Sequence, residues 1–172
     1  MSSTDLLPQS DDFPTSGRLA AIDYGTVRIG VAICDPDWIL ASPHEVIPAK
    51  HWREEGDYFR SLVKSERIEA FVVGLPIHCD GGESEKSKEA REFARWIARE
   101  TGKPVRLFDE RFTTADANRR LGGSFTRAKK KQRVDAIAAL VLLESFMEAS
   151  RYHGHSAGEP VDAAPEGGQS LD

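Results

Sequence analysis

The chain has 172 residues, 40% of them hydrophobic, two cysteines and a formal net charge of -5. That is enough apolar material for one domain with its own core, without help from disulfides or a structural metal. The acidic balance excludes a protein that coats nucleic acid by bulk charge, so such a partner must be met by a local basic patch. Cys34 and Cys79 show neither a disulfide framework nor zinc-ligand spacing, which suits a reducing cytoplasm. No apolar run approaches the roughly 20 residues that span a bilayer, and the N-terminus lacks the two halves of a signal peptide. A cytoplasmic chain without a membrane partner is expected.

In chain order, residues 1–17 are rich in Ser, Asp, Pro and Thr and read as a disordered tail. Arg18–Tyr24 and Arg28–Cys34 are apolar runs joined through Gly25-Thr26-Val27, the pattern of an antiparallel strand pair, and Ser42–Ile47 could add a third strand. His51–Arg67 carries Trp52, Phe59, Leu62 and Val63 near helical spacing. Ala70–Leu75, stopped by Pro76, reads as a buried strand. Glu83–Thr101 places Ala90, Phe93, Ala94 and Ile97 on one stripe of a charged helix that Gly102 ends. Val105–Phe108 is a further strand, and Thr113-Thr114-Ala115-Asp116 resembles a capping box opening a short helix to Leu121. Arg133–Ala149 is apolar on most of its circumference and must be largely buried. Residues 153–172 read as a disordered acidic tail. The expected architecture is one α/β domain over 18–152, a mixed five-stranded sheet with helices on both faces.

Three acids stand out. Asp23 ends an otherwise buried strand, where a carboxylate is costly unless a cation or hydrogen bonds meet it, and Gly25 would let the backbone come close to a phosphate or metal. A turn-capping Asp is the plainer alternative. Asp109 and Glu110 end the Val105 strand; adjacent strand residues face opposite ways, so one of them, Glu110 by preference, shares a pocket with Asp23. Pairing with Arg111 would be its structural role. Asp135 lies in the first turn of the last helix, where the helix dipole alone would favour an acid.

The basic residues change that weighing. Between Val105 and Arg133 there are nine Lys or Arg against three acids, a local net charge of +6. Of these, Arg127, Lys129, Lys130, Lys131 and Arg133 lead directly into Asp135, although a lysine run in a loop can also be merely solvated. Cations beside clustered carboxylates are what a phosphodiester enzyme needs: the cations hold the polyanion and the acids hold the metal that polarises it. An all-oxygen set favours Mg²⁺ or Mn²⁺ over zinc. His78 and Asp80, in the Gly74–Gly82 loop, are secondary candidates for touching substrate.

Four blocks, Asp23 to Ala32, Gly74 to Gly81, Asp109 to Ala117 and Asp135 to Leu140, resemble in order the motifs of the YqgF/RuvX family. Cys79 stands where Met is common in that family, a tolerable apolar exchange. The resemblance implies an RNase H-like fold and a nuclease acting in 5′-end processing of pre-16S ribosomal RNA, or alternatively a Holliday junction resolvase acting on branched DNA. Its acidic motif residues fall on Asp23, Glu110 and Asp135. A resolvase cutting two strands symmetrically would need a homodimer, whereas an RNA trimmer could act alone. Two rivals remain: a non-catalytic nucleic-acid-binding module, and an ATP-dependent phosphotransferase sharing the Asp-x-Gly hairpin, for which one domain of this size offers too few lobes.

Overall fold

The computed structural model describes residues 13–76, 84–110, 127–154 and 156–161, with 127–135 as helical backbone only. Its centre is a mixed sheet in the order β3-β2-β1-β4-β5-β6. Strands β1 (Arg18–Tyr24), β2 (Arg28–Cys34) and β3 (Ala41–Pro48) form an antiparallel meander. The link between β1 and β2 is tight enough to need its glycine, because a Cβ on Gly25 would stand 2.6 Å from the Arg28 carbonyl oxygen. Strands β4 (Ile68–Leu75) and β5 (Val105–Asp109) then add parallel to β1. Helix α1 (Gly56–Glu66) precedes β4, α2 (Glu85–Thr101) precedes β5, and α3 (Arg127–His153) follows.

The continuous apolar runs of β1 and β4 follow from cover on both faces. Ala20, Ile22 and Tyr24 of β1 join Ile29, Val31, Phe71, Val73 and Leu107 in a core beneath α1 and α2. The alternate residues Leu19, Ala21, Ala32, Ala70, Val72 and Phe108 face α3, which supplies Ala139, Leu143, Phe146 and Met147. Phe59, Phe71 and Phe93 are fully buried in the first core, each contributing about 1.5–3 kcal/mol relative to exposure.

Helix ends follow local chemistry. Ser84 caps α2 by accepting the Ser87 N–H at 3.3 Å, and Gly102 closes it in the left-handed conformation with its N–H on the Ala98 carbonyl. The expected His51–Arg67 helix is divided: a 3₁₀ turn over Trp52–Glu54 precedes α1, with His51 left-handed at φ 63° and Glu55 outside helical geometry. This break lets Trp52 pack against Phe93 and Trp96 instead of lying on the α1 stripe.

Three expectations need correction. Among the described residues the sheet has six strands, not five, because β6 (Glu159–Pro160) pairs antiparallel with β5. The folded unit extends past residue 152, with Ala157 buried and held by its N–H on Ser150 Oγ at 2.9 Å. It also begins before Arg18: Phe13 is buried edge-on against Phe146. A polar composition conceals these segments because single apolar anchors, not runs, hold them. The helix expected over 113–121 lies outside the described residues.

Candidate active site

The parallel strands β1, β4 and β5 end together at one sheet edge, where ligands gather in α/β folds. Ile22 is in register with Val73, Gly74 with Phe108, and Leu75 with Asp109. Asp23 is the next residue of β1, on the face of Leu19 and Ala21, the one covered by α3. Glu110 follows β5, and its carboxyl group shares a hydrogen bond with that of Asp23. Both side chains are half-buried.

Gly74 permits the meeting. A Cβ there would overlap Glu110 Oε1 and crowd its Cγ at 3.0 Å, so only a bare backbone leaves room for the carboxylate. Burial, followed by the charge and hydrogen bond of Asp23, pushes the Glu110 carboxyl up to about 8, while the Lys86 cation opposes the shift. Two carboxylates this close and this dry must share a proton or a cation.

Behind them, α2 starts with Ser87 buried and its hydroxyl donating to the Pro76 carbonyl, which ties the helix to the end of β4. This brings Lys86 within electrostatic reach of Glu110. In the sequence Lys86 is one charge among many on a solvated helix, and nothing singles it out.

The structure thus brings together two of the three acids. Asp135 is on α3, the helix that packs across β1, β2 and β3 on the Asp23 side of the sheet, but its side chain lies outside the described residues. The same holds for Arg127, Lys129, Lys130, Lys131 and Arg133, which occupy the first turns of α3. His78, Asp80 and Arg111 lie outside the described residues altogether. Among the described residues no group of three or more His, Cys, Asp or Glu is gathered as a metal site. The Asp23–Glu110 pair nevertheless suits a hard divalent ion: its oxygens are close and partly desolvated, and the proton that the raised Glu110 carboxyl retains is one that a cation could replace.

An α/β sheet of this order, three antiparallel strands followed by two parallel ones with helices on both faces, is an RNase H-like fold. The chain's fold is similar to that of Thermus thermophilus RuvC, solved in complex with a Holliday junction substrate, with a TM-score of 0.53 at 17% identity over 83% of this chain and 98% of that one. The family model described as RuvX, Holliday junction resolvase, matches residues 17–149, and the chain belongs to that family. A protein of Rhodopirellula baltica is 63% identical over 163 residues, 94% of each chain. One of Sphingopyxis alaskensis is 40% identical over 137 residues, 79% of this chain and 90% of its own. Both relatives carry the name "Putative pre-16S rRNA nuclease".

Proposed function

We propose that the chain is a metal-dependent nuclease that hydrolyses phosphodiester bonds in 5′-end processing of pre-16S ribosomal RNA in the cytoplasm. The observation that carries this is the Asp23–Glu110 carboxyl pair, seated over Gly74 at the edge where β1, β4 and β5 end. The names of its relatives in Rhodopirellula and Sphingopyxis support the RNA substrate.

Asp23, Glu110 and Asp135 would hold Mg²⁺ or Mn²⁺ as ligands, not as proton carriers. When bound, the divalent ion polarises the phosphodiester and activates water for in-line attack. The protein's own contribution is positional. Gly74 keeps Glu110 against Asp23, and the Pro76–Ser87 tie fixes α2 so that Lys86 can offset the excess negative charge. The basic approach to Asp135, from Arg127 to Arg133, grips the sugar-phosphate backbone without reading its bases. Arg111, His78 and Asp80 are the remaining substrate-binding candidates.

The second reading, resolution of branched DNA by a homodimer, is favoured by the family's description and by the likeness to RuvC. Cleavage of precursor ribosomal RNA and of a four-way DNA junction, side by side with Mg²⁺ or Mn²⁺, separates the two. Asp23→Asn should lower cleavage by more than about a hundredfold, as removal of one preorganised charge-stabilising group does elsewhere, while folding and substrate binding persist. Wild-type cleavage by this variant would refute the site, and binding that never leads to cutting in the wild type would favour a non-catalytic module.

A further inference from the structure

Across the sheet edge from the carboxyl pair is a cavity of about 390 Å³, large enough for a nucleobase, lined by Tyr24, Thr26, His51, Trp52, Arg53 and Glu89 among others. Tyr24 follows Asp23 directly but belongs to the opposite face, in the core beneath α1 and α2. The cavity and the carboxyl pair therefore flank the same end of β1.

Its parts have distinct chemistry. The Arg53 guanidinium lies 4.2 Å from the centroid of the Trp52 ring and is anchored by Glu92 at 3.0 Å. Trp52 is itself wedged edge-on between Phe93 and Trp96, with centroids 5.1 and 5.0 Å away. The result is a planar cation backed by a rigid aromatic stack, a surface on which an unpaired base can lie. Opposite in character is Glu89, an exposed carboxylate on α2 whose Oε2 accepts the Tyr24 hydroxyl at 3.3 Å. A carboxylate repels the phosphates of a strand, so a substrate approaches it favourably by presenting hydrogen-bond donors, ribose 2′-hydroxyls or base N–H groups, and only the latter distinguish one base from another. Among the standard bases guanine alone offers two adjacent donors, N1–H and the N2 amine, to both oxygens of one carboxylate.

We infer that this cavity receives an unpaired guanine of the substrate strand, stacked on Arg53 and read by Glu89, beside the nucleotide whose phosphodiester lies at the carboxyl pair. The inference rests on the nuclease reading for the path of the strand, and it adds a base preference that phosphate contacts alone cannot give. Arg53 supplies affinity for any base, whereas Glu89 supplies the choice.

Binding in EDTA tests it without any cutting. Labelled eight-residue oligouridines carrying one central guanosine, inosine, adenosine or no substitution are titrated against the full chain by fluorescence anisotropy, with deoxy counterparts as a second arm. The guanosine oligomer should bind about tenfold more tightly than the others, the scale of one good bidentate base contact, and inosine, which lacks the N2 amine, should lose most of that gain. Glu89→Gln should abolish the preference, and Tyr24→Phe, which removes the hydroxyl that holds Glu89, should weaken it. Equal affinity for guanosine and inosine, or a preference that survives Glu89→Gln, overturns the inference. Cleavage by Asp23→Asn would instead sink the nuclease site and leave these affinities as they are, so the two failures are separable. The deoxy arm decides whether the guanine belongs to RNA or to DNA.

Discussion

Gly74 shows how a single missing methyl group can decide a site. Gly74→Ala would push its Cβ into Glu110 Oε1, the far end of a rotatable side chain, so Glu110 can swing away at little cost to the fold. The loss should therefore fall on chemistry: cleavage about tenfold or more below wild type, with a melting temperature within a few degrees. An unfolded Gly74→Ala would show that the strand itself cannot tolerate the side chain. Glu110 makes a second prediction in the absence of metal. Its folded carboxyl titrates above its ordinary value of 4.5, so between 4.5 and about 8 the native state holds a proton that the unfolded chain has released. Stability from this group is then complete below pH 4.5 and is lost as pH rises toward 8. Thermal melts in EDTA should show that decline, Glu110→Gln should flatten it, and saturating Mg²⁺ or Mn²⁺ should reverse it at neutral pH in wild type but not in Asp23→Asn. The pair was legible in the sequence through strand alternation, which puts Asp23 and Glu110 on one face and Asp109 on the other. Lys86 was not, because its place depends on how α2 docks against Pro76.

Among the elements, β6 is the one that composition concealed. Glu159–Pro160 carries none of the alternation of a strand, yet it covers the otherwise open edge of β5. It is held from outside itself: Arg106 Nη1 donates to the Gly158 carbonyl at 3.0 Å, and Arg91 pairs with Glu159 at 3.0 Å. The surface ion pair contributes at most about 1 kcal/mol, so the backbone ladder and the buried Ala157 must do most of the anchoring. Gly158 has φ 76°, and a Cβ there would overlap the Leu107 carbonyl oxygen, an atom of β5 that cannot move aside. Gly158→Ala should therefore detach β6 at a cost on the order of 1–3 kcal/mol, read as a lower urea midpoint and faster hydrogen exchange at Val105 and Leu107, whose backbone groups face β6. Unchanged protection at these amides would mean that β6 is dispensable. The longer strands were readable because each is an apolar run covered on both faces. The Trp52 turn was readable only as helix, since its departure from α1 is set by Phe93 and Trp96, far along the chain.

At the scale of the molecule, one sheet separates two cores, and the ends of its parallel strands leave a working edge between them. The charge is divided as unevenly as the packing: the whole chain carries -5, while Val105 to Arg133 carries +6. The remainder is therefore strongly acidic and repels a polyanion, which should confine the substrate to that basic segment and keep binding elsewhere weak. Such confinement has a thermodynamic signature. Each phosphate neutralised on a single strand releases condensed counterions and adds about -0.7 to the slope of log affinity against log salt concentration. If Lys129 and Lys130 each meet one phosphate, replacing both with Gln should make the slope shallower by about 1.4, weaken binding alike for every base sequence, and leave the rate at saturating substrate near wild type. Titrations of an RNA oligomer from 50 to 200 mM salt measure this directly. An unchanged slope would place the lysines in solvent, and the strand would then have to be gripped by other cations, with Arg127, Lys131 and Arg133 the nearest in sequence.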